Sequence, residues 1–170
     1  LPLYYVDYDG VVINQSPLTL AYLRPGGSVY QAQWNAAAGS WTHTSMMVST
    51  VGYLLARAGQ LWGCKLPWDT TSGTGTVHCA HFEGGMNWTW YTMSNLLRDG
   101  AKAFALDSQG QLIVATVRSA SFGHQEVVLS YLVGKDVVSE SFFSLGRDWA
   151  ALHEMVLDDE DNPVILITQR

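Results

Sequence analysis

The chain has 170 residues, of which 48% are hydrophobic and only 14% are charged, with a formal net charge of −6. This composition excludes a disordered chain and predicts a single folded domain with a sizeable core. The acidic balance and the lack of a Lys/Arg cluster argue against nucleic acid as a partner, and without a run of about 18 apolar residues no membrane span is predicted.

In chain order, four similar apolar strands recur, each preceded by another apolar strand and a polar turn. Aligning them places four residues in register at spacings of roughly 43 to 52 residues: Leu18, Leu61, Leu112 and Val164. Two further strands follow each of the first three. Complete four-strand units are therefore predicted at 11–50, 52–95 and 102–146, with an inner pair of strands at 152–170.

The first two strands of each unit are nearly continuous apolar runs, as expected where both faces are covered. The third and fourth strands alternate or carry hydroxyl groups, His and Gln, as expected nearer to solvent. A period of about 50 residues is that of propeller blades. The predicted fold is therefore all-β, a single β-propeller segment of about three and a half four-stranded antiparallel blades. A β-sandwich is the alternative, but it would not need a recurring unit.

Three stretches carry a resemblance to a known group of proteins: "ALDSQGQLIVAT" at 105–116, "VLDDEDNPVILIT" at 156–168 and "AAAGSWT" at 36–42. They resemble the β-propeller repeats of the broad sialidase-like and bacterial propeller-lectin groups. The resemblance implies a blade architecture, and such motifs specify a blade rather than a chemistry.

The two cysteines, Cys64 and Cys79, are placed symmetrically about "TTSGTGT" at 70–76, which is predicted to be a loop between two antiparallel strands. Opposed Cβ atoms in such a pair lie within about 5.5 Å of each other, which is close enough for a disulfide. Two buried thiols that face each other are the alternative. A disulfide would indicate an oxidising compartment, and the expected location is extracellular or secreted.

Cations and aromatic rings supply the candidate ligand-binding residues. In the repeat alignment, Arg24, Arg118 and Arg170 are equivalent, and they are predicted to lie with Trp68 at one end of the blades. Such a ring of cations would suit acidic sugars or carboxylates, although a solvated Arg that ends a strand is the plainer interpretation. Trp62, Trp68 and Trp90 could stack on sugar rings, or they could fill space between twisted blades.

Neither a metal site, nor a cofactor, nor a catalytic motif is predicted. The acidic "DDEDN" at 158–162 could offer oxygen ligands to Ca²⁺, but its spacing does not match an EF-hand loop and it is interpreted as a hairpin turn. Glutamates are present at positions 83, 126, 140 and 154, but no spacing selects a catalytic pair. The predicted function is a non-catalytic binding or scaffold propeller that recognises carbohydrate or a protein partner. The alternative is a glycan-processing hydrolase or lyase on the same fold.

The last strand, "VILITQR" at 164–170, lacks the third and fourth strands that follow its counterparts. The segment "LYYVDY" at 3–8 can supply one strand, whereas the last unit needs two. We therefore expect another protein chain to complete the propeller, with a homodimer as the alternative. Since the chain also lacks an initiator Met, it is expected to be one segment of a larger propeller.

Overall fold

The computed structural model describes residues 10–48, 50–65, 74–97, 102–119, 123–146 and 150–169. Within these residues the protein is all-β, with fourteen strands and no α-helix. Accordingly, this part of the chain contains no helix of the length and apolar character needed to cross a membrane. The all-β class predicted from the sequence is confirmed.

The strands form four antiparallel sheets in which strands adjacent in sequence are adjacent in space. The first sheet consists of β1 (Gly10–Gln15), β2 (Leu18–Arg24), β3 (Ser28–Asn35) and β4 (Ser40–Ser45). The second consists of β5 (Tyr53–Arg57), β6 (Gln60–Lys65), β7 (Thr74–Gly84) and β8 (Asn87–Leu97). The third consists of β9 (Lys102–Leu106), β10 (Leu112–Ser119), β11 (Gln125–Val133) and β12 (Asp136–Gly146), and the fourth of β13 (Ala150–Leu157) and β14 (Pro163–Gln169).

These sheets fall at the places where the repeat alignment predicts three four-strand units and a final pair. The described residues do not form a closed barrel or a closed propeller. The segment predicted as a preceding strand, at 3–8, lies outside the described residues.

The sheets stack on one another in chain order through three apolar cores. One core joins the first and second sheets and includes Leu23, Val29 and Leu54. A second joins the second and third sheets, and a third joins the third and fourth sheets. Each internal sheet therefore contributes one face to each of two cores.

Two-sided burial explains the apolar runs that the sequence shows. In β10, Leu112 and Val114 pack between the second and third sheets, whereas Ala115 and Val117 pack between the third and fourth. Successive side chains of a strand point to opposite faces, so a strand with a sheet on each side needs apolar residues at every position.

Two of the first strands, β1 and β5, are less buried than the sequence predicts. Val12 of β1 and Tyr53 of β5 are exposed, although β6 and β10 are largely buried as expected. Each first strand is the edge strand of its sheet and pairs with a single neighbour. The prediction that both faces of a strand are covered therefore holds for β6 and β10 but is wrong for β1 and β5.

Side-chain hydrogen bonds connect the turns of three sheets at one end of the stack. Arg57, at the end of β5, donates to the carbonyl oxygen of Leu106 at the end of β9, at 2.8 Å. Ser108 donates from its backbone N–H and its hydroxyl group to the carboxylate of Asp161, at 2.8 and 2.6 Å. The β9–β10 turn is thereby tied to the second sheet on one side and the fourth on the other.

The β9–β10 and β13–β14 turns have the same hydrogen-bond pattern. Oδ1 of Asp107 accepts bonds from the backbone N–H groups two and four residues later, at 2.9 and 2.8 Å. Oδ1 of Asp158 makes the same two bonds at 2.9 and 2.8 Å. The side chain and backbone N–H of Asn162 donate to Asp158 and lower the pKa of its carboxyl group. The acidic segment at 158–162 thus forms the predicted hairpin turn.

Cys64 and Cys79 form a disulfide between β6 and β7. The two residues are direct partners in the antiparallel register, and their Cα atoms lie 4.1 Å apart. The predicted pairing is therefore confirmed. Of the loop predicted at 70–76, the part before Thr74 lies outside the described residues, and the remainder belongs to β7.

Candidate functional site

A cleft of 330 Å³ lies between the second and third sheets. It is lined by polar and apolar side chains from both sheets, namely Thr92, Met93, Thr116, Arg118, Val128, Val137 and Ser139. Of the predicted ligand-binding residues that the structure describes, Arg118 is the one that lines this cleft.

The alternation of β10 positions the two polar side chains on one wall of the cleft. Thr116 and Arg118 are two residues apart on this strand and therefore point to the same face, towards the second sheet. In the register with β11, they lie opposite Val128 and Glu126. The hairpin thus places a carboxylate directly across from the guanidinium group.

Arg118 and Glu126 form an ion pair through Nε and Oε1. Oε2 of Glu126 also accepts a hydrogen bond from the Ser141 hydroxyl group at 2.6 Å. The Ser141 bond, followed by the Arg118 bond, lowers the pKa of the Glu126 carboxyl group. The charge of Arg118 is consequently compensated within its own sheet, which weakens its expected role as a receptor for anions.

Thr116 is the most buried polar side chain of the cleft, with a residue exposure of 1%. Its hydroxyl group has no hydrogen-bond partner among the described residues. Nearby, the hydroxyl groups of Ser130 and Ser139 bond to each other at 2.7 Å. Since buried hydroxyl groups normally have a partner, the unpaired group of Thr116 is available to a ligand that enters the cleft.

Arg24 lies on the first sheet, away from the cleft. Its guanidinium group stacks over the ring of Tyr30 at 4.1 Å from the centroid, and Nη2 donates to the Tyr22 hydroxyl group at 3.5 Å. Arg24 and Arg118 are thus each engaged by side chains of their own sheet. Arg170 lies outside the described residues.

The predicted tryptophans occupy different environments. Trp62 is buried, with 3% exposure, and its indole N–H donates to the carbonyl oxygen of Gly110 at 3.0 Å. Its ring therefore belongs to the core and does not present a face to a ligand. Trp90 on β8 is 44% exposed and does not line the cleft. Trp68 lies outside the described residues.

A second polar cluster surrounds His81 on β7. Nδ1 of His81 lies 2.9 Å from Oε1 of Glu83, and Nε2 lies 2.7 Å from Oε1 of Gln60. The bond to His81 is the main cause of the lowered pKa of the Glu83 carboxyl group. Across the described ranges, no group of three or more His, Cys, Asp or Glu side chains could hold a metal ion.

The sequence did not single out Thr116, Thr92 or Ser139 as ligand-binding residues. Alternation in "LIVATVRS" places Thr116 on the same face as Arg118, but a buried Thr in an apolar strand is ordinarily a core residue. Only the stacking of the second sheet on the third shows that these hydroxyl groups border an open space.

No family model matches the chain, and no curated protein matches it either. The function must therefore be inferred from the chemistry of the cleft and from the exposed surfaces of the sheets.

Proposed function

We propose that this chain is a non-catalytic β-propeller segment that binds carbohydrate in the cleft between the second and third sheets. The observation that carries this proposal is the buried, unpaired hydroxyl group of Thr116 beside the Arg118–Glu126 ion pair. Sugars present several hydroxyl groups that both donate and accept hydrogen bonds. A cleft lined by hydroxyl groups and a guanidinium group matches that chemistry.

The packing of the sheets supports the propeller architecture. The first strands of successive sheets contact each other in the order β1, β5, β9 and β13, as the inner strands of blades do around an axis. The identical hydrogen-bond patterns at Asp107 and Asp158 support a structural repeat. In this arrangement each four-stranded sheet is one blade, and β13 and β14 are the inner half of another.

Another protein chain completes the propeller in this proposal, because the fourth sheet has a largely uncovered apolar face. Val156, Val164 and Leu166 are 51%, 56% and 60% exposed. In the described residues, β14 pairs with β13 alone. An apolar strand with one unpaired edge is a template for a further strand, and natural proteins usually cover such edges. A second, different chain with the missing outer strands is the proposed partner, and a homodimer is the alternative.

The exposed face of the fourth sheet provides a test of assembly. Light scattering is expected to show a particle larger than the 18.7 kDa chain, and Val164→Lys with Leu166→Lys is expected to dissociate or aggregate it. The neighbouring Ile165 and Ile167 pack against the third sheet, so they are unsuitable for this test. Val133→Lys, at a 57% exposed position of the third sheet, is the control. A cooperatively melting monomer of the unmodified chain would contradict assembly.

The disulfide supports an extracellular or secreted location, because such bonds persist in oxidising compartments. Both sulfur-bearing residues are fully buried in the core between the second and third sheets. Met93 belongs to this core and Val137 packs against it, and both residues line the cleft.

Thr116→Val is the sharpest test of the cleft, because it replaces a hydroxyl group with a methyl group of similar size. Binding to the best carbohydrate from a glycan array is expected to weaken about two- to tenfold, the range for one lost hydrogen bond. Calorimetric titration measures this change. The melting temperature should not fall, since the hydroxyl group has no partner to lose among the described residues. Thr44→Val, on exposed β4, should leave binding unchanged.

Turnover assays separate this function from a glycan-processing enzyme. The two glutamates with shifted pKa values, Glu83 and Glu126, are both shifted downwards, whereas the proton donor of a glycosidase needs a raised pKa. We expect fluorogenic glycosides to remain intact in the presence of the chain. Hydrolysis that is abolished by Glu126→Gln would contradict a non-catalytic role.

A further inference from the structure

The sequence contains two Asn-x-Ser/Thr triplets, the pattern at which N-linked glycans are attached. One is Asn14-Gln15-Ser16, at the end of β1, and the other is Asn87-Trp88-Thr89, at the start of β8. Such triplets also occur by chance, so the pattern alone selects neither of them. The structure distinguishes the two by what surrounds each asparagine.

Asn87 lies at an exposed corner of the second sheet. It is the first residue of β8 and directly follows the turn at 85–86. Among the described residues, β8 is an edge strand that pairs with β7 alone. Asn87 is exposed, and its neighbour Met86 in the turn is 59% exposed. A bulky, hydrophilic group attached here would extend into solvent without displacing a packed side chain.

The middle residue of this triplet, Trp88, points towards the first sheet. Its indole N–H donates to the carbonyl oxygen of Met46 at 2.8 Å, and its ring centroid lies 5.1 Å from that of Phe82. Both rings pack against the core between the first and second sheets. Because successive side chains of a strand alternate, Asn87 and Thr89 project from the opposite face, and both are exposed. The tryptophan thus anchors the triplet, while its asparagine and its hydroxyl group share one face.

The side chain of Asn14 is instead part of a turn. Nδ2 of Asn14 donates to the carbonyl oxygen of Ser16 at 3.2 Å, and Oδ1 accepts a bond from the backbone N–H of Ser16 at 3.2 Å. A glycan on Nδ2 would crowd this closed pair of bonds. In addition, Pro17 follows directly and restricts the backbone of Ser16, the residue that supplies the hydroxyl group of the triplet. We therefore expect Asn14 to remain unmodified.

The disulfide independently indicates the compartment in which such glycans are attached. The Cys64–Cys79 bond joins β6 to β7, the strand that pairs with β8. Structural disulfides form in the oxidising lumen of the secretory pathway, where N-linked glycans are also transferred. The second sheet therefore contains both an oxidised cysteine pair and an exposed acceptor triplet.

We propose that Asn87 is a site of N-linked glycosylation. The donor is an oligosaccharide linked to a polyprenyl pyrophosphate, and a transferase of the secretory compartment catalyses the step. Nδ2 of Asn87 attacks the anomeric carbon of the sugar and loses one proton. The C–O bond to the pyrophosphate breaks, and the lipid pyrophosphate leaves with the bonding electrons. The Thr89 hydroxyl group is the part of the triplet that the transferase recognises.

This proposal rests on the secreted location proposed above, but not on closure of a propeller or on binding in the cleft at Thr116. Secretion of the chain from a eukaryotic cell behind a cleavable leader tests it. The secreted chain should migrate more slowly than its mass of 18.7 kDa predicts, and peptide N-glycosidase should remove the difference. Mass spectrometry of the peptide that contains Asn87 should locate the glycan without any variant.

Substitutions in the two triplets provide the matched comparison. Asn87→Gln should abolish the shift in migration, whereas Asn14→Gln, the control, should leave it unchanged. Thr89→Ala should also abolish the shift, because it removes the hydroxyl group of the triplet. Thr89→Ser keeps that group and should retain the glycan, which a purely structural role of Thr89 would not explain.

A secreted chain that has the Cys64–Cys79 disulfide but no glycan at Asn87 would overturn the proposal and leave the location standing. A shift that survives Asn87→Gln but is lost in Asn14→Gln would overturn the assignment of the site. A chain retained in the cell with two free thiols would contradict the secreted location and, with it, this proposal. A thiol assay on the denatured protein thus separates the two kinds of failure.

Discussion

Loss of the Cys64–Cys79 disulfide is expected to lower the free energy of unfolding by about 3 kcal/mol, the chain-entropy value for a 15-residue loop. The bond joins β6 to β7, and both residues have no exposed surface. Without the bond, the unfolded chain gains conformations while the folded state keeps its packing. For a chain of this size the melting temperature should fall by roughly 6 to 12 °C.

Guanidinium unfolding with and without a reductant measures the difference. Because the disulfide is buried, the protein must be reduced in denaturant and refolded, and a thiol assay should then find two free thiols. A Cys64→Ala and Cys79→Ala double variant should have the midpoint of the reduced protein, or a slightly lower one. Equal midpoints for the oxidised and fully reduced proteins would show that the bond contributes nothing to stability.

Gly110→Ala is expected to destabilise the protein by about 2 to 4 kcal/mol, which combines backbone strain with overpacking. Gly110 has a φ of 79°, and an added Cβ would lie 2.5 Å from the carbonyl oxygen of Arg57 and 2.6 Å from the side chain of Gln60. The turn would have to move away from the second sheet. That movement would also disturb the hydrogen bond from Trp62 to the Gly110 carbonyl oxygen.

Gly59→Ala is the matched control for Gly110→Ala. Gly59 has a φ of 76°, but an added Cβ would meet no atom within 4 Å. It therefore reports the backbone strain alone, expected at about 1 to 2 kcal/mol. Urea unfolding of both variants gives the difference between them. If the two substitutions have equal effects, the close contact between the β9–β10 turn and the second sheet does not contribute to stability.

The strands and the disulfide could be predicted because they depend on short-range patterns. Alternation and turn residues locate strands such as β3 and β11 in the sequence, and the symmetric placement of Cys64 and Cys79 gives their pairing. The same symmetry rule, applied to the β10–β11 hairpin, would have paired Arg118 with Glu126. The compensated charge of Arg118 was thus predictable in principle.

The environment of each candidate side chain was less accessible to sequence reasoning. Trp62 and Trp90 look equivalent in the sequence, yet one is buried against the β9–β10 turn and the other is exposed. The difference arises from contacts between sheets that are about 50 residues apart, which a local pattern does not encode.

The meander order of the strands has a consequence for how the chain folds. Every sheet pairs strands that are consecutive in sequence, so each pairing closes only a short loop and its entropic cost is small. Local strand pairing of this kind favours rapid formation of individual hairpins. Each new hairpin can dock on the sheet that precedes it in the chain, so these sheets are suited to fold progressively in chain order.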